Sequence, residues 1–151
     1  MMEIIKNRKY IAINVILFAI LYLSVAFNKE FIRPFYSHSP IIGLITGSFS
    51  NFMAAYIISL FPIAPILAKN IEIRKASIII YFISILVFLI LTIEEIYPMW
   101  GASTQYDLFD ILASGIGSIF AILNQFHLLK YQTSRIRSEE HTSELQSRFG
   151  I

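Results

Sequence analysis

Four acidic side chains lie within a seventeen-residue stretch of the chain that contains no basic residue. They are Glu94, Glu95, Asp107 and Asp110. Crowded carboxylates can bind a cation or an amine-bearing ligand, and a shared proton would let them act as a general acid and base. The plainer alternative is that they anchor helix ends at a membrane surface, where Lys29, Arg33 or a protonated His38 would balance their charge.

The surroundings of these acids are strongly apolar. Of the 151 residues, 56% are hydrophobic and 15% are charged, and the mean hydropathy is +0.67. Globular chains have about 45–50% apolar residues, so the composition predicts an integral membrane protein. The net charge of +2 is too small to indicate nucleic acid binding. Because the chain has no cysteine, disulfides and thiolate metal sites are excluded, and we expect neither a cofactor nor a metal.

Four uncharged or nearly uncharged runs approach the length of about 20 residues that crosses a bilayer. They cover residues 10–27, 49–68, 76–93 and 108–129. Since helices satisfy their own backbone hydrogen bonds in lipid, we predict an all-α, four-helix transmembrane bundle. The first run is longer than the apolar core of a signal peptide and is interpreted as a retained helix. Residues 41–45 are expected to form a short interfacial or re-entrant piece, and Pro62 and Pro65 to kink the second span.

Basic residues predict how the bundle is oriented. Eight Lys and Arg residues lie in the N-terminal segment, in the second loop and just after the fourth span. The first loop has two, and the third loop has none. The positive-inside rule therefore predicts N-in and C-in termini in the cytoplasmic (inner) membrane, with the acidic hairpin outside. At the outer interface we expect four aromatic residues, namely Tyr36, Tyr97, Trp100 and Tyr106.

The fourth run carries small and polar residues on one helix face. They are Asp110, Ala113, Ser114, Gly117, Ala121 and Asn124. In bilayers, small residues let helix backbones approach closely. We predict helix packing through Ala113, Ser114, Gly117 and Ala121 within the chain, with a homo-oligomer or a membrane-complex partner as the alternative. Ser50, Asn51 and Tyr56 on the second run are candidates to meet this face.

The last fifteen residues differ in composition from the rest of the chain. Residues 137–147 read RSEEHTSELQS, which resembles the conceptual translation of a widely used sequencing adapter. We interpret residues 137–151 as a non-native polar tail, the alternative being a natural one, and expect the natural chain to be known only to about Ile136. The acidic residues and the histidine of this tail therefore receive no functional interpretation.

The acidic hairpin also carries a family pattern. Glu94 and Glu95 end one span, and Asp107, Asp110, Ala113 and Gly117 begin the next. This arrangement resembles the VanZ-like family of small bacterial membrane proteins, although Pro98, Thr104 and Ser114 stand where that family has Gln, Arg and Asn. The resemblance implies a four-span protein of the cell envelope. Some members of the family are associated with resistance to glycopeptide or lipopeptide antibiotics, and the family has no settled reaction.

Three functions remain open from the sequence. The first is a non-catalytic envelope protein that binds a lipid headgroup or cationic envelope ligand through Glu94, Glu95, Asp107 and Asp110. The second is a membrane-embedded enzyme that uses the same carboxylates as acid and base. The third is an accessory or assembly subunit that uses the small-residue face. The chain has no G-x-S-x-G, Walker or H-E-x-x-H motif.

Overall fold

The computed structural model describes residues 2–36, 38–69, 71–97 and 107–149. Within these residues every regular element is a helix and there is no strand, which confirms the all-α prediction. The elements are α1 (Met2–Phe27), α2 (Arg33–Tyr36), α3 (Pro40–Leu60), α4 (Ile63–Ala68), α5 (Ile73–Ile96) and α6 (Leu108–Phe149). A π-helical turn, Asn28–Ile32, joins α1 to α2.

Four helical segments are long and apolar enough to cross a membrane, as the sequence predicts. They are Ile11–Tyr36, Pro40–Leu67, Ile73–Ile96 and Leu108–Tyr131. Large hydrophobic side chains such as Phe18 and Leu123 face outward, with 60% and 61% of their surface exposed. Such an apolar surface is unfavourable in water and is expected in lipid. The chain is therefore a multi-pass membrane protein whose outer surface suits a bilayer.

The second span begins earlier than predicted. Residues 41–45 belong to α3, which starts at Pro40 and continues without a break to Leu60. The prediction of a separate interfacial or re-entrant piece at these residues is therefore wrong. A proline at the start of a helix costs no hydrogen bond, because the first amides of a helix have no partner within it. The glycines and polar residues of this segment are tolerated inside one continuous helix.

The predicted distortion of the second span is confirmed at Pro62, whereas Pro65 lies inside the helix α4. The helix stops at Leu60, Phe61 and Pro62 form a turn, and α4 starts at Ile63. Pro62 has no backbone N–H, and its ring would clash with the carbonyl of Ile58 if the α-helix continued. The Ile58 carbonyl instead accepts a hydrogen bond from the Phe61 amide at 3.2 Å.

The helices α3 and α6 run parallel and pack against each other. The rings of Phe52 and Phe120 meet edge-on with centroids 6.1 Å apart. One turn further along both helices, the Asn124 amide donates a hydrogen bond to the Tyr56 hydroxyl. Tyr56 therefore meets the small and polar face of α6, as predicted.

The helix α5 runs antiparallel to α6. At one end Tyr81 packs against Phe126 with ring centroids 5.4 Å apart, and at the other the Asp107 amide bonds to Glu95. The first span is the least buried of the four and packs on α3. There the buried Asn28 side chain donates a hydrogen bond to the Thr46 carbonyl at 2.7 Å.

A close approach of α6 to α3 occurs at Gly117. A Cβ atom at this position would lie 2.4 Å from the carbonyl oxygen of Phe52 and 3.1 Å from the Cβ of Ala55. Ala55 and Ala121 are fully buried nearby in the packed faces of the two helices. The structure thus uses this part of the small-residue face to join two helices of the same chain.

The helix α6 continues beyond the fourth span to Phe149. The polar segment after Ile136 therefore forms the end of one 42-residue helix in the structure. Helical structure carries no information on the origin of the segment, so its interpretation as a non-native tail stays a prediction. No function is assigned to it.

We expect Gly117→Ala to lower the free energy of unfolding by about 1–3 kcal/mol, because the added methyl group overpacks the contact with α3. Gly47→Ala is the matched control, since a Cβ there meets nothing within 4 Å. It should leave stability unchanged or raise it by up to about 1 kcal/mol through helix propensity. Denaturation in mixed micelles, followed by circular dichroism, measures both. Equal stability of Gly117→Ala and wild type would contradict the close approach.

Candidate functional site

The candidate site is the end of the bundle where α5 finishes and α6 begins, here called the acidic end. Glu94 and Glu95 lie in the last turn of α5, Asp107 immediately precedes α6, and Asp110 lies in its first turn. Two of the four predicted interface residues lie at this end of the bundle, since Tyr36 ends α2 and Tyr97 directly follows α5. The other two, Trp100 and Tyr106, lie outside the described residues.

Asp107 is the N-cap of α6. Its Oδ1 atom accepts a hydrogen bond from the Phe109 amide at 2.9 Å. Its backbone carbonyl accepts hydrogen bonds from the amides of Asp110 at 3.0 Å and Ile111 at 3.4 Å. Aspartate is among the preferred N-cap residues because its side chain satisfies an amide that the helix leaves without a partner. The Asp107 carboxylate therefore caps the start of its own helix.

Glu95 completes the cap from the neighbouring helix. Its Oε1 atom accepts a hydrogen bond from the Asp107 amide at 2.9 Å. In a capping box, the residue three positions into the helix makes this bond. That position is held here by Asp110, and Glu95 reaches across from α5 in its place. The bond ties the end of one span to the start of the next, a contact that the sequence analysis did not identify.

Asp110 is left without such a partner. Its side chain is partly buried, and its Oδ1 atom is fully shielded and has no hydrogen-bond partner. Within the described residues the one ion pair joins Lys75 to Glu72, at 3.9 Å and on exposed side chains. A shielded carboxylate oxygen with neither a donor nor a cation nearby is costly in a membrane protein. Asp110 is thus the acid whose shielded oxygen lacks a partner among the described residues.

Glu94 is the second acid that remains available. Its side chain is half-buried in the last turn of α5, and it makes no hydrogen bond to another residue in the described part of the chain. The structure therefore separates the four predicted acids into two pairs. Glu95 and Asp107 bond to the backbone of the hairpin, and Glu94 and Asp110 stay free. No three His, Asp or Glu side chains among the described residues converge as metal ligands would.

An apolar groove of about 440 Å³ lies between α3 and α6, and Asp110 is not among the residues that line it. Its lining residues are Leu44, Ile45, Ser48, Phe49, Phe52, Phe109, Leu112, Ala113 and Ile116. Phe109 directly precedes Asp110, and Ala113 follows one turn later. The volume lies in the range of small-molecule sites, and the lining is almost entirely hydrocarbon. Such a groove suits an alkyl chain.

The predicted helix-packing residues lie in different surroundings. Ser114, Gly117 and Ala121 are buried between helices, and the Ser114 hydroxyl donates a hydrogen bond to the Asp110 carbonyl at 3.0 Å. Ala113 is half-buried and forms part of the groove wall instead. Ser50 and Asn51 are half-buried on α3.

A fully buried glutamine was missed by the sequence analysis. Gln125 has 0% of its surface exposed, and its Nε2 atom donates a hydrogen bond to the Ser59 carbonyl at 2.9 Å. The signal was present, because Ser114, Ser118 and Gln125 continue the face of Asp110 at steps of four and seven residues. The buried polar face of α6 is therefore longer than predicted.

A scan against protein-family models and searches of curated proteins and of solved structures found no match for this chain. The resemblance to the VanZ-like family stays a prediction. The arrangement of the chain's own side chains therefore supports the functional proposal.

We expect Glu95→Ala to lower the free energy of unfolding by about 1 kcal/mol, the usual effect of losing a capping hydrogen bond. Glu95→Gln should retain most of the stability, because its amide oxygen can still accept from the Asp107 amide. Thermal unfolding of the purified variants in one detergent makes the comparison. If both variants lost the same stability, the charge of Glu95 and not its bond to Asp107 would be the stabilising factor.

Proposed function

We propose that the chain is a non-catalytic membrane protein of the bacterial cell envelope that binds an amine-bearing lipid at its acidic end. The observation that carries the proposal is the shielded, unpartnered carboxylate oxygen of Asp110, which directly follows Phe109 of the groove wall along α6. An ammonium group would pair with Asp110 and Glu94. The alkyl chain of the same molecule would lie along Phe109 and Ala113.

The combination of charge and hydrocarbon favours an amphipathic ligand over a free cation. A metal ion would need three or more converging ligands, and the described residues offer no such group. A primary ammonium group has three N–H donors, so one or two carboxylates can bind part of it while water takes the remaining donor. A lipid with a primary amine headgroup satisfies the carboxylates and fills the groove at once.

The hydrogen bonds that Glu95 and Asp107 already accept favour ligand binding over acid–base catalysis. Glu95 and Asp107 each hold a backbone amide of the hairpin, at 2.9 Å in both cases. A proton transfer through either group would compete with the cap of α6. An accessory role through the small-residue face is likewise less favoured, because Gly117 already contacts α3 of the same chain.

The location of the site is part of the proposal. We place the acidic end at the outer face of the cytoplasmic membrane, with N-in and C-in termini, on the distribution of Lys and Arg along the chain. Membership of the VanZ-like family is proposed on the acidic pair Glu94 and Glu95 and the helix start at Asp107. Both proposals agree with a ligand taken from the outer leaflet.

We expect Asp110→Asn to weaken binding of phosphatidylethanolamine by about tenfold to a hundredfold, since a hydrogen bond to a charged group contributes about 1.5–3 kcal/mol. Glu94→Gln should weaken it to a smaller extent. Glu72→Gln is the matched control, because this carboxylate is exposed and lies at the opposite end of the bundle. Native mass spectrometry of the purified protein, titrated with lipid, measures the dissociation constants.

Phosphatidylcholine and phosphatidylglycerol are the reference lipids in that titration. Phosphatidylcholine has no N–H donor and phosphatidylglycerol has no amine, so both should bind wild type more weakly than phosphatidylethanolamine. Equal binding of the three lipids, or unchanged binding by Asp110→Asn, would contradict the proposed headgroup site.

The orientation has a test of its own, because the chain contains no cysteine that would give a background signal. Single cysteines replacing His38 and Lys75 lie in exposed positions at opposite ends of the bundle. In intact cells a membrane-impermeant thiol reagent should label His38→Cys and spare Lys75→Cys until the cells are opened. The reverse pattern would place the acidic end in the cytoplasm and overturn the proposed orientation.

A further inference from the structure

Four buried polar side chains lie where α3, α5 and α6 pack together, and we call them the polar column. They are Ser59 on α3, Ser84 on α5, and Ser118 and Gln125 on α6. Ser59, Ser84 and Gln125 have 0% of their surface exposed, and Ser118 has 5%. All four lie inside membrane-spanning segments, well away from the acidic end.

The polar atoms of the column are not satisfied by the protein. The Oγ atoms of the three serines and the Oε1 atom of Gln125 are shielded and have no hydrogen-bond partner. The Gln125 Nε2 atom is the exception, with its bond to the Ser59 carbonyl at 2.9 Å. In a bilayer each unpaired polar group costs free energy, because no bulk solvent reaches it.

Other hydroxyl groups in these helices donate a hydrogen bond to a backbone carbonyl of their own helix. Ser77 donates to the Ile73 carbonyl at 2.8 Å, and Thr92 donates to the Phe88 carbonyl at 2.8 Å. This bond to the preceding turn is the usual arrangement for a serine or threonine in a helix. Ser59, Ser84 and Ser118 do not make it. Their hydroxyls therefore need a partner other than their own helix.

The register of the helices brings these groups near one another. Ser59 contacts Gln125 directly, as described above. On α5, Ser84 lies between Tyr81, which packs on Phe126, and Phe88, which is next to Gly115. This places Ser84 level with the part of α6 that holds Ser118. Ser118 and Gln125 are seven residues apart, which is about 10 Å along the helix axis.

We propose that internal water molecules occupy the polar column and bridge the three serine hydroxyls to Gln125 Oε1. A buried water makes about three hydrogen bonds to polar groups that would otherwise lack partners. Serine hydroxyls can donate and accept, whereas the Gln125 oxygen only accepts, so water supplies the missing donors.

The column is independent of lipid binding at the acidic end. Ser118 lies eight residues beyond Asp110 on α6, about 12 Å deeper along the axis. Loss of lipid binding would therefore leave the column intact, and a dry column would leave the headgroup site intact. The waters would give the bundle a polar interior and fix which faces of α3, α5 and α6 meet.

The direct test is water-edited solid-state NMR on the isotopically labelled protein in lipid bilayers. Magnetisation from water should reach Ser84, Ser118 and Gln125 several-fold faster than it reaches Leu123, which faces lipid, and Ile80, which is buried among apolar groups. Transfer to the three residues as slow as to Ile80 would overturn the proposal. Equally fast transfer to Leu123 would also overturn it, because the signal would not then be local.

A substitution series gives a second, independent result. In a hydrated column, Ser84→Ala and Ser118→Ala should each lower the Tm and slow transfer to Gln125 at least twofold. In a dry column, each change would remove an unpaired hydroxyl and raise the Tm, which would overturn the proposal. Ser114→Ala is the matched control, because its hydroxyl already donates to the Asp110 carbonyl. It should leave transfer to Gln125 unchanged.

Discussion

The close approach of α6 to α3 at Gly117 determines where many other side chains of the bundle lie. Because the two backbones nearly touch at Phe52, the residues on either side of the contact are fixed in register. Toward the acidic end, larger side chains of the two helices line the apolar groove. Toward the other end, Tyr56 meets Asn124 and Ser59 meets Gln125. Gly117 is therefore needed for α6 to pack on α3, and this part of the small-residue face is not a separate binding surface.

The acidic end shows how identical chemical groups acquire different roles from their backbone positions. Asp107 directly precedes a helix and Glu95 lies opposite its first amide, so both are held by the hairpin. Asp110 points along the packed face of α6, where no donor meets its Oδ1 atom. Counting charges along the sequence treats these acids as equivalent. Their hydrogen bonds separate the acids that stabilise the hairpin from those that have no partner among the described residues.

The spans could be predicted because hydropathy and length depend only on local composition. The stop at Pro62 was predictable for the same reason, since the missing N–H acts on its own helix. The continuous helix through residues 41–45 was not predicted, because glycines and polar residues there mimic a break. The bond from Asp107 to Glu95, the contact of Gly117 with Phe52 and the burial of Gln125 depend on the distance between segments. Helical periodicity indicates a face but not what that face meets.

The parallel arrangement of α3 and α6 has an electrostatic consequence. Both helices begin at the same end of the bundle, so the partial positive charges of two helix macrodipoles are placed side by side there. Each amounts to about half an elementary charge, and the negative ends of the first span and of the antiparallel α5 lie around them at the same end. Asp107 and Asp110 lie at the start of α6, where the positive end of the helix favours carboxylates, and Lys29 and Arg33 lie at the same end of the bundle. The two aspartates thus lie where the field of their own helix favours a negative charge, whereas Glu94 and Glu95 stand at the negative end of α5.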